Sequence, residues 1–275
     1  MLAVSRLYSF LDHKNGMNIH FLEGQKLIYD LVLLHPMQGN GFVYFRDTFL
    51  GIMPIIFFLK PGESLGIYID SEEPYFRLKI ETNSAGHTRT LLLPENFNLF
   101  PNKITGKIRI TKISNSKTPY TSMLELKDVD TKNVINQILS ESYQTNSEVI
   151  VANQSDQSML VTKLPPLNAN VHTDETVSRN AYIRKNQQFI HDVFEMASDD
   201  IEKIVNKFEN HGLAYLGSRQ ISFFCPCSHE RMVLNLRGLY SNDLTEIFSE
   251  KDILDIKCDY CRKEYHVSKA DILGS

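Results

Sequence analysis

The chain has 275 residues, of which 42% are hydrophobic and 23% charged, with a formal net charge of −4. This composition is that of a globular protein with room for more than one domain, and it excludes a strong overall positive field that would attract nucleic acid or an anionic membrane. The first residues, MLAVSRLYSFLDHKNG, lack the apolar run and cleavage site of a secretory signal, so we expect a cytoplasmic protein.

The most apolar stretch is FLGIMPIIFFL, residues 49–59. It has about half of the roughly 20 residues that a membrane helix needs, and Pro54 interrupts it. We therefore expect a kinked helix buried in the core, and no membrane partner.

Residues 1–164 are predicted to form a mixed α/β core domain. A helical pattern occupies 130–145, and a hairpin is expected around 154–157. Five other segments alternate apolar and polar residues, which predicts strands with one buried face. These segments are 17–24, 62–70, 75–82, 89–94 and 106–113. The predicted fold class is α+β.

A polar stretch rich in turn formers, PPLNANVHTDETVSRN, opens a predicted helical linker over residues 165–222. One helical pattern covers 181–197, and a second begins at the N-cap candidate Asp199 and ends near His211 and Gly212. The helices are short and mix charges into their apolar faces, so we expect modest stability, although an ordinary interdomain connector fits the same periodicity. Their candidate apolar contacts are Phe189, Ile190, Val193, Phe194, Ile204, Val205 and Phe208.

Every cysteine lies in the last 51 residues. Cys225 and Cys227 form a C-x-C, and Cys258 and Cys261 form a C-x-x-C. Four thiolates complete a tetrahedral set for one zinc ion, and such a closed site leaves no position for water or substrate. The pattern predicts a structural zinc site and no catalytic residue. Four incidental cysteines are the simpler alternative, which the absence of thiols elsewhere disfavours.

The short C-x-C arm suggests a redox role. An extended chain separates the Cα atoms of residues i and i+2 by up to about 6.6–7.2 Å, whereas disulfides prefer about 4.4–6.8 Å. A Cys225–Cys227 bond would need a local bend and would be easily reduced, while Cys258 and Cys261 could bond more comfortably. The four sulfurs could thus bind zinc when reduced or form two local disulfides when oxidised. Because metal binding is coupled to folding in a small domain, oxidation would unfold about the last 50 residues.

The cysteine motif resembles that of the heat-shock protein 33 (Hsp33) family, redox-regulated holdase chaperones of the bacterial cytosol. The family pattern is C-x-C-S-x-E, a spacer, C-x-[FY]-C and a following tyrosine. The matching positions are Cys225, Cys227, Ser228, Glu230, Cys258, Tyr260, Cys261 and Tyr265. Upstream, the segments 118–126 (TPYTSMLEL) and 140–152 (SESYQTNSEVIVA) resemble family segments in the same order. Two departures are Tyr143, where the family has an acidic residue, and GHTRTLL in place of a glycine-rich turn.

The resemblance implies a core chaperone domain over 1–164, a metastable linker over 165–222 and a zinc-binding switch domain over 223–275. Hypochlorite, or peroxide with heat, would pair Cys225 with Cys227 and Cys258 with Cys261 and release the zinc. The linker would lose its order and expose apolar surface. Unfolded client proteins would bind there without ATP, often with homodimer formation. The chain has no G-x-x-x-x-G-K-[ST] loop, which agrees with ATP independence.

Two other classes of protein also use clustered cysteines. A zinc-ribbon interaction module without redox gating would favour a basic stripe if it bound nucleic acid, but residues 225–275 have seven Lys and Arg against nine Asp and Glu. A thiol oxidoreductase would need an exposed, activated cysteine on a strand-to-helix turn. The chain after the C-x-x-C is short and strand-like, so we rank the oxidoreductase last.

Overall fold

The structure, a computed structural model, describes residues 2–114, 117–165, 177–196, 200–239, 248 and 251–273. The chain divides into two compact units, 1–223 and 224–275. Sheets and helices are combined as α+β, which confirms the predicted fold class.

The first unit contains two sheets. In chain order its strands are β1 (Arg6–Asp12), β2 (Met17–Glu23), β3 (Ser64–Glu73), β4 (Tyr75–Asn83), β5 (His87–Leu93), β6 (Lys103–Ser114), β7 (Lys117–Asp130), β8 (Ser147–Val151), β9 (Gln157–Lys163), β10 (Ala214–Gln220) and β11 (Ser222–Phe223). One sheet has the order β10-β1-β2-β9-β8 and the other β11-β5-β4-β3-β6-β7. Neighbouring strands are antiparallel except β11 and β5. The five predicted strands and the hairpin therefore form, whereas β1, β7, β10 and the short β11 were not predicted.

The helices of the first unit are α1 (Gln25–Leu34), α2 (Gly39–Ile52), α3 (Val134–Gln137), α4 (Arg179–Lys185), α5 (Gln187–Glu195) and α6 (Ile201–Glu209). Helices α1 and α2 pack with one face of each sheet around the main core. A 3-10 turn, Met53–Phe58, continues α2 and contains Pro54. The stretch Gly39–Phe58 is long and apolar enough to cross a membrane, but 72% of its most apolar window is buried within the protein. The prediction of a buried core helix is confirmed, and the helix changes from α to 3-10 geometry where Pro54 occurs.

The predicted helix over 130–145 is irregular. It consists of a 3-10 turn at Thr131–Asn133, the single turn of α3, and a π-helical turn at Ile138–Ser142. Tyr143 follows, with its ring centroid 5.3 Å from that of Phe58. The position that departs from the family pattern is therefore occupied by an aromatic ring packed against the main core.

The linker helices differ in detail from the prediction. The segment 181–197 contains two helices, because Asn186 breaks the run between α4 and α5 and its side chain donates to the Tyr182 carbonyl. Asp199 lies outside the described residues, and Asp200 is the N-cap of α6: its carboxylate accepts from the backbone amides of Glu202 and Lys203. Gly212, at φ +88°, follows that helix as predicted.

The second unit contains α7 (His229–Leu239), β12 (Ile253–Lys257), β13 (Glu264–Ser268) and α8 (Lys269–Leu273). Strands β12 and β13 form an antiparallel hairpin. The sequence pattern predicts short helical stretches around 232–236 and 244–248 and strands at 252–258 and 264–268. The first helix and both strands form, whereas 244–248 lies outside the described residues except for Phe248.

Candidate metal centre

Two turns hold the four cysteines. Cys258 directly follows β12, and its backbone amide bonds to the Lys263 carbonyl while its own carbonyl accepts from Arg262. Arg262 has φ +61°, which lets the chain turn back sharply into β13. This closed turn places Cys258 and Cys261 side by side at the end of the hairpin.

The C-x-C arm leads directly into α7. Ser228 begins that helix, since its hydroxyl accepts from the Arg231 amide and its carbonyl from the Met232 amide. The Glu230 carboxyl bonds to its own backbone amide and to Ser228, and these bonds lower its pKa. The serine and glutamate of the motif thus fix the helix start that orients Cys225 and Cys227.

The four sulfur atoms converge. All four Sγ atoms lie within 4.8 Å of one another. The Cys225 and Cys258 sulfurs are 3.7 Å apart, and those of Cys227 and Cys261 are 3.2 Å apart. Four sulfur ligands at about 2.3 Å from one zinc ion would be about 3.8 Å apart, so the cluster has the size of a tetrahedral zinc site. The four cysteines could therefore bind one metal ion, and their all-sulfur chemistry suits zinc.

The electrostatics of the cluster favour a cation. Tyr265 donates its hydroxyl proton to the Cys227 sulfur at 3.0 Å. Burial acts to raise the pKa of the Cys227 thiol, but the hydrogen bonds from Tyr265 and the other thiols lower that pKa to about 7. Burial raises the pKa of Cys261 to about 12. Cys227 thus ionises more readily than an ordinary thiol and Cys261 less readily, and a bound dication would favour the thiolate form of both.

The cysteines are part of the unit's own core. Cys258 is buried, and the other three pack against the same apolar cluster. The buried members of this cluster are Met232, Val233, Phe248, Cys258, Tyr265, Val267 and Ile272. Such a small core seldom stabilises a unit of about 50 residues without an added crosslink. The integrity of the unit should therefore depend on what the sulfurs bind.

The two histidines near the motif lie outside the sulfur cluster. His229 Nε2 contacts the His266 carbonyl at 3.2 Å and lies 3.5 Å from Asp271. His266 Nδ1 pairs with Asp255 at 2.6 Å on an exposed face. The sequence places both histidines close enough to the motif to replace a ligand, but four sulfurs already complete the set, which favours surface or supporting roles for them. Their positions agree with those roles.

The seven predicted linker contacts all lie in a second apolar cluster of the first unit. Ile190, Val193, Ile204 and Phe208 are buried, and Phe189, Phe194 and Val205 pack against them partly buried. The opposing surface consists of Tyr8, Phe10, Met17, Ile19, Phe21, Met159 and Val161, from β1, β2 and β9. We call this surface the apolar sheet face; helices α4, α5 and α6 cover it.

Sequence reasoning predicted β2 and β9 of that sheet face but missed β1. The alternation in Arg6–Asp12 was its available signal, because Tyr8 and Phe10 point to one side of β1 and are both buried. The missed strand supplies the ring on which Phe208 stacks, with centroids 4.0 Å apart.

An α+β unit followed by a small unit built around four converging cysteines defines a two-part protein with a candidate structural metal centre. A profile of the family described as Hsp33 protein matches residues 5–268. The chain therefore belongs to the Hsp33 family, which confirms the resemblance seen in the sequence. This membership supports a chaperone as the class of protein.

Individual proteins that are similar to this chain carry the name 33 kDa chaperonin. A 33 kDa chaperonin of Desulforamulus reducens is 25% identical over 232 residues, covering 78% of this chain and 77% of that protein. Another from Aquifex aeolicus is 19% identical over 279 residues, covering 94% and 85%. The crystal structure of the 33 kDa chaperonin (heat shock protein 33 homolog) from Thermotoga maritima covers 98% of this chain and 96% of that chain, with a TM-score of 0.72 and 15% identity. That structural likeness supports the fold.

Proposed function

We propose that this protein is a cytoplasmic, redox-regulated holdase that binds unfolding client proteins without ATP. The observation that carries the proposal is the convergence of four sulfurs within 4.8 Å in a small unit whose core they complete. The proposed division is a core domain at 1–164, a linker at 165–222 and a switch domain at 223–275.

In the reduced state, Cys225, Cys227, Cys258 and Cys261 would hold one zinc ion. Zinc would supply a crosslink between the C-x-C arm and the β12–β13 hairpin, and it would keep the sulfurs as thiolates. Tyr265 would support this state, because its hydroxyl donates to the Cys227 sulfur. With the crosslink in place, the small core of the second unit would stay folded.

Oxidation would remove the ligands. In the proposed pairing, Cys225 bonds to Cys227 and Cys258 to Cys261. Each disulfide forms as two thiolates give up two electrons, and one hypochlorous acid accepts them and leaves as chloride and hydroxide. A disulfide sulfur no longer carries the charge that binds the metal, so the zinc would leave and the arms would separate.

Strands β10 and β11 connect the helical segment to the second unit, so loss of the second unit's fold would free the end of β11. Unpairing of β11 from β5 and of β10 from β1 would then release the C-terminal end of the helices. That segment covers the apolar sheet face with helices of seven to nine residues. Helices this short depend on packing for their stability. Their release would expose aromatic and aliphatic side chains on both the sheet and the helices, and these would bind apolar segments of unfolding proteins, with possible homodimer formation.

The substitution Cys258→Ser tests this proposal. The variant should lose bound zinc, become protease-sensitive in residues 224–275 and suppress client aggregation with less oxidant. His229→Ala is the matched control, because His229 is in the same unit but outside the sulfur cluster. A Cys258→Ser protein that kept its zinc and its full oxidant dependence would contradict the proposal and favour a zinc-bearing interaction module.

A further inference from the structure

A cavity of about 230 Å³ lies at the β10 edge of the five-stranded sheet, away from the apolar sheet face. Its lining includes Ser9, Phe57, Gly217 and Arg219. Ser9 pairs with Gly217 across β1 and β10, and the register slips between Ser9 and Phe10, so Leu216 has no partner on β1. Gly217 has φ +133°, a conformation that favours glycine at this bulge. The two bulge residues, Leu216 and Gly217, both line the cavity.

Arg219 brings an uncompensated charge to this cavity. Its Nη1 donates a long bond of 3.4 Å to the Ile56 carbonyl. Among the described residues no carboxylate forms an ion pair with it. Burial lowers the pKa of Arg219, with no neighbouring acid acting against that shift. A partly buried guanidinium without a counter-ion is costly, and an anion that entered the cavity would relieve that cost.

Ser9 offers a second donor. Its Oγ lies 3.0 Å from Nδ1 of His20, which is fully buried beneath the ring of Phe57 at a centroid distance of 3.6 Å. The His20 Nε2 atom has no hydrogen-bond partner among the described residues. Burial lowers the pKa of His20 to about 3, so the ring is neutral at physiological pH.

A neutral His20 can pair with Ser9 in two ways. With the proton on Nε2, Ser9 donates to Nδ1 and its own proton is occupied. With the proton on Nδ1, the ring donates to Ser9, and the serine hydroxyl is free to donate into the cavity. An anion in the cavity would select the second arrangement, because only that one offers it the serine proton.

We propose that this cavity binds a small oxyanion, a carboxylate or phosphate group, through the Arg219 guanidinium and the Ser9 hydroxyl. A planar guanidinium pairs with two oxygens of such a group at once, and a charge-assisted bond from Ser9 adds to it. The site is separate from the cysteine centre and does not depend on the proposed chaperone cycle.

The test is a titration of the reduced, full-length protein with acetate and, separately, with inorganic phosphate, at an ionic strength held constant with chloride. Long-range ¹H–¹⁵N spectra of the histidine rings follow the His20 tautomer. We expect saturable binding with a dissociation constant on the order of 1 mM, as suits a four- or five-atom anion, and a shift of His20 to the Nδ1–H form. The tighter of the two anions identifies the group that the cavity prefers.

Three variants distinguish anion binding in this cavity from general electrostatic attraction of anions to the protein. Arg219→Gln should weaken binding at least about tenfold, and Ser9→Ala about tenfold with no tautomer change. Arg6→Gln is the matched control: Arg6 lies on the same strand pair and bonds to the lining residue Ser218, but it does not itself line the cavity, so it should change affinity less than about twofold. Absence of saturable binding of both anions, or equal losses for Arg6→Gln and Arg219→Gln, would overturn the proposal.

Discussion

The ring of Phe208 in α6 lies flat on the ring of Phe10 in β1, with centroids 4.0 Å apart and planes 4° from parallel. Both rings are fully buried. Phe189 meets Phe208 edge-on at 5.3 Å, and Phe21 lies 5.5 Å away. This aromatic cluster fixes α5 and α6 onto the apolar sheet face and is the contact that the proposed activation must break.

Phe208→Ala should release the helical cover without oxidant. Removing a fully buried phenylalanine costs about 3–5 kcal/mol of unfolding free energy, more than short helices can lose. The reduced variant should suppress client aggregation. Ile201→Ala, on an exposed position of the same helix, is the control and should change stability by less than about 0.5 kcal/mol. A stable, folded Phe208→Ala protein with no holdase activity in the reduced state would count against the sheet face as the client surface.

Removing the N-cap of α6 should destabilise the helical cover less than Phe208→Ala does. Asp200→Ala removes the carboxylate that accepts from the Glu202 and Lys203 amides, which should destabilise the helix by about 1 kcal/mol. Hydrogen exchange of the α6 amides should become about fivefold faster. Asp200→Asn retains a capping oxygen and should behave nearly as the parent protein. Equal exchange in all three proteins would show that the cap does not limit helix opening.

Tyr265→Phe removes one hydroxyl that donates to the Cys227 sulfur and keeps the ring in the core. Zinc affinity, measured by competition with a chelator, should fall about 10–100-fold, as is usual when a partner of a ligand is lost. His266→Ala, on the exposed side of the same strand, should leave affinity unchanged. If Tyr265→Phe also left it unchanged, the hydroxyl would have no part in metal binding.

Buried His20 should make the reduced protein sensitive to acid. The pKa of His20 is about 3 in the folded protein, whereas an ordinary histidine has a pKa of 6.5. Between these two pH values the unfolded state therefore binds more protons than the folded state. The free energy of unfolding is therefore highest above pH 6.5, where His20 is neutral in both states. It falls as the pH drops toward 3, by at most about 1.4 kcal/mol per pH unit. His20→Gln should flatten this part of the stability curve, while His266→Gln should not. Parallel curves for the parent and His20→Gln would refute the burial effect.

The sequence could predict the elements with clean periodicity. Strands such as β3, β4 and β6 alternate strictly, because one face meets the core and the other meets solvent. It could not predict β10, since the bulge at Leu216 interrupts the period and this edge strand has no buried side chain. Nor could it predict the break at Asn186, where the backbone leaves helical geometry (φ −100°, ψ 14°) while the side chain and the backbone amide both bond to the Tyr182 carbonyl.

The candidate metal centre was predictable in its ligands but not in its support. The spacing of the cysteines was enough to predict that the four thiols bind one metal ion. The bond from Tyr265 to Cys227 depends on the β12–β13 register, and the left-handed turn at Arg262 depends on chain reversal. Tyr265 is part of the family motif, but neither its bond to Cys227 nor the turn at Arg262 follows from the spacing of the motif, because both arise from pairing between separated residues.

The most direct test of the redox-gated holdase is light scattering of a heat- or dilution-denatured client. The protein is added either reduced and zinc-loaded or after hypochlorite treatment, without ATP. We predict that only the oxidised protein suppresses aggregation. Equal suppression by both forms would contradict redox gating and indicate a constitutive chaperone with a structural metal, and no suppression by either form would contradict the holdase itself.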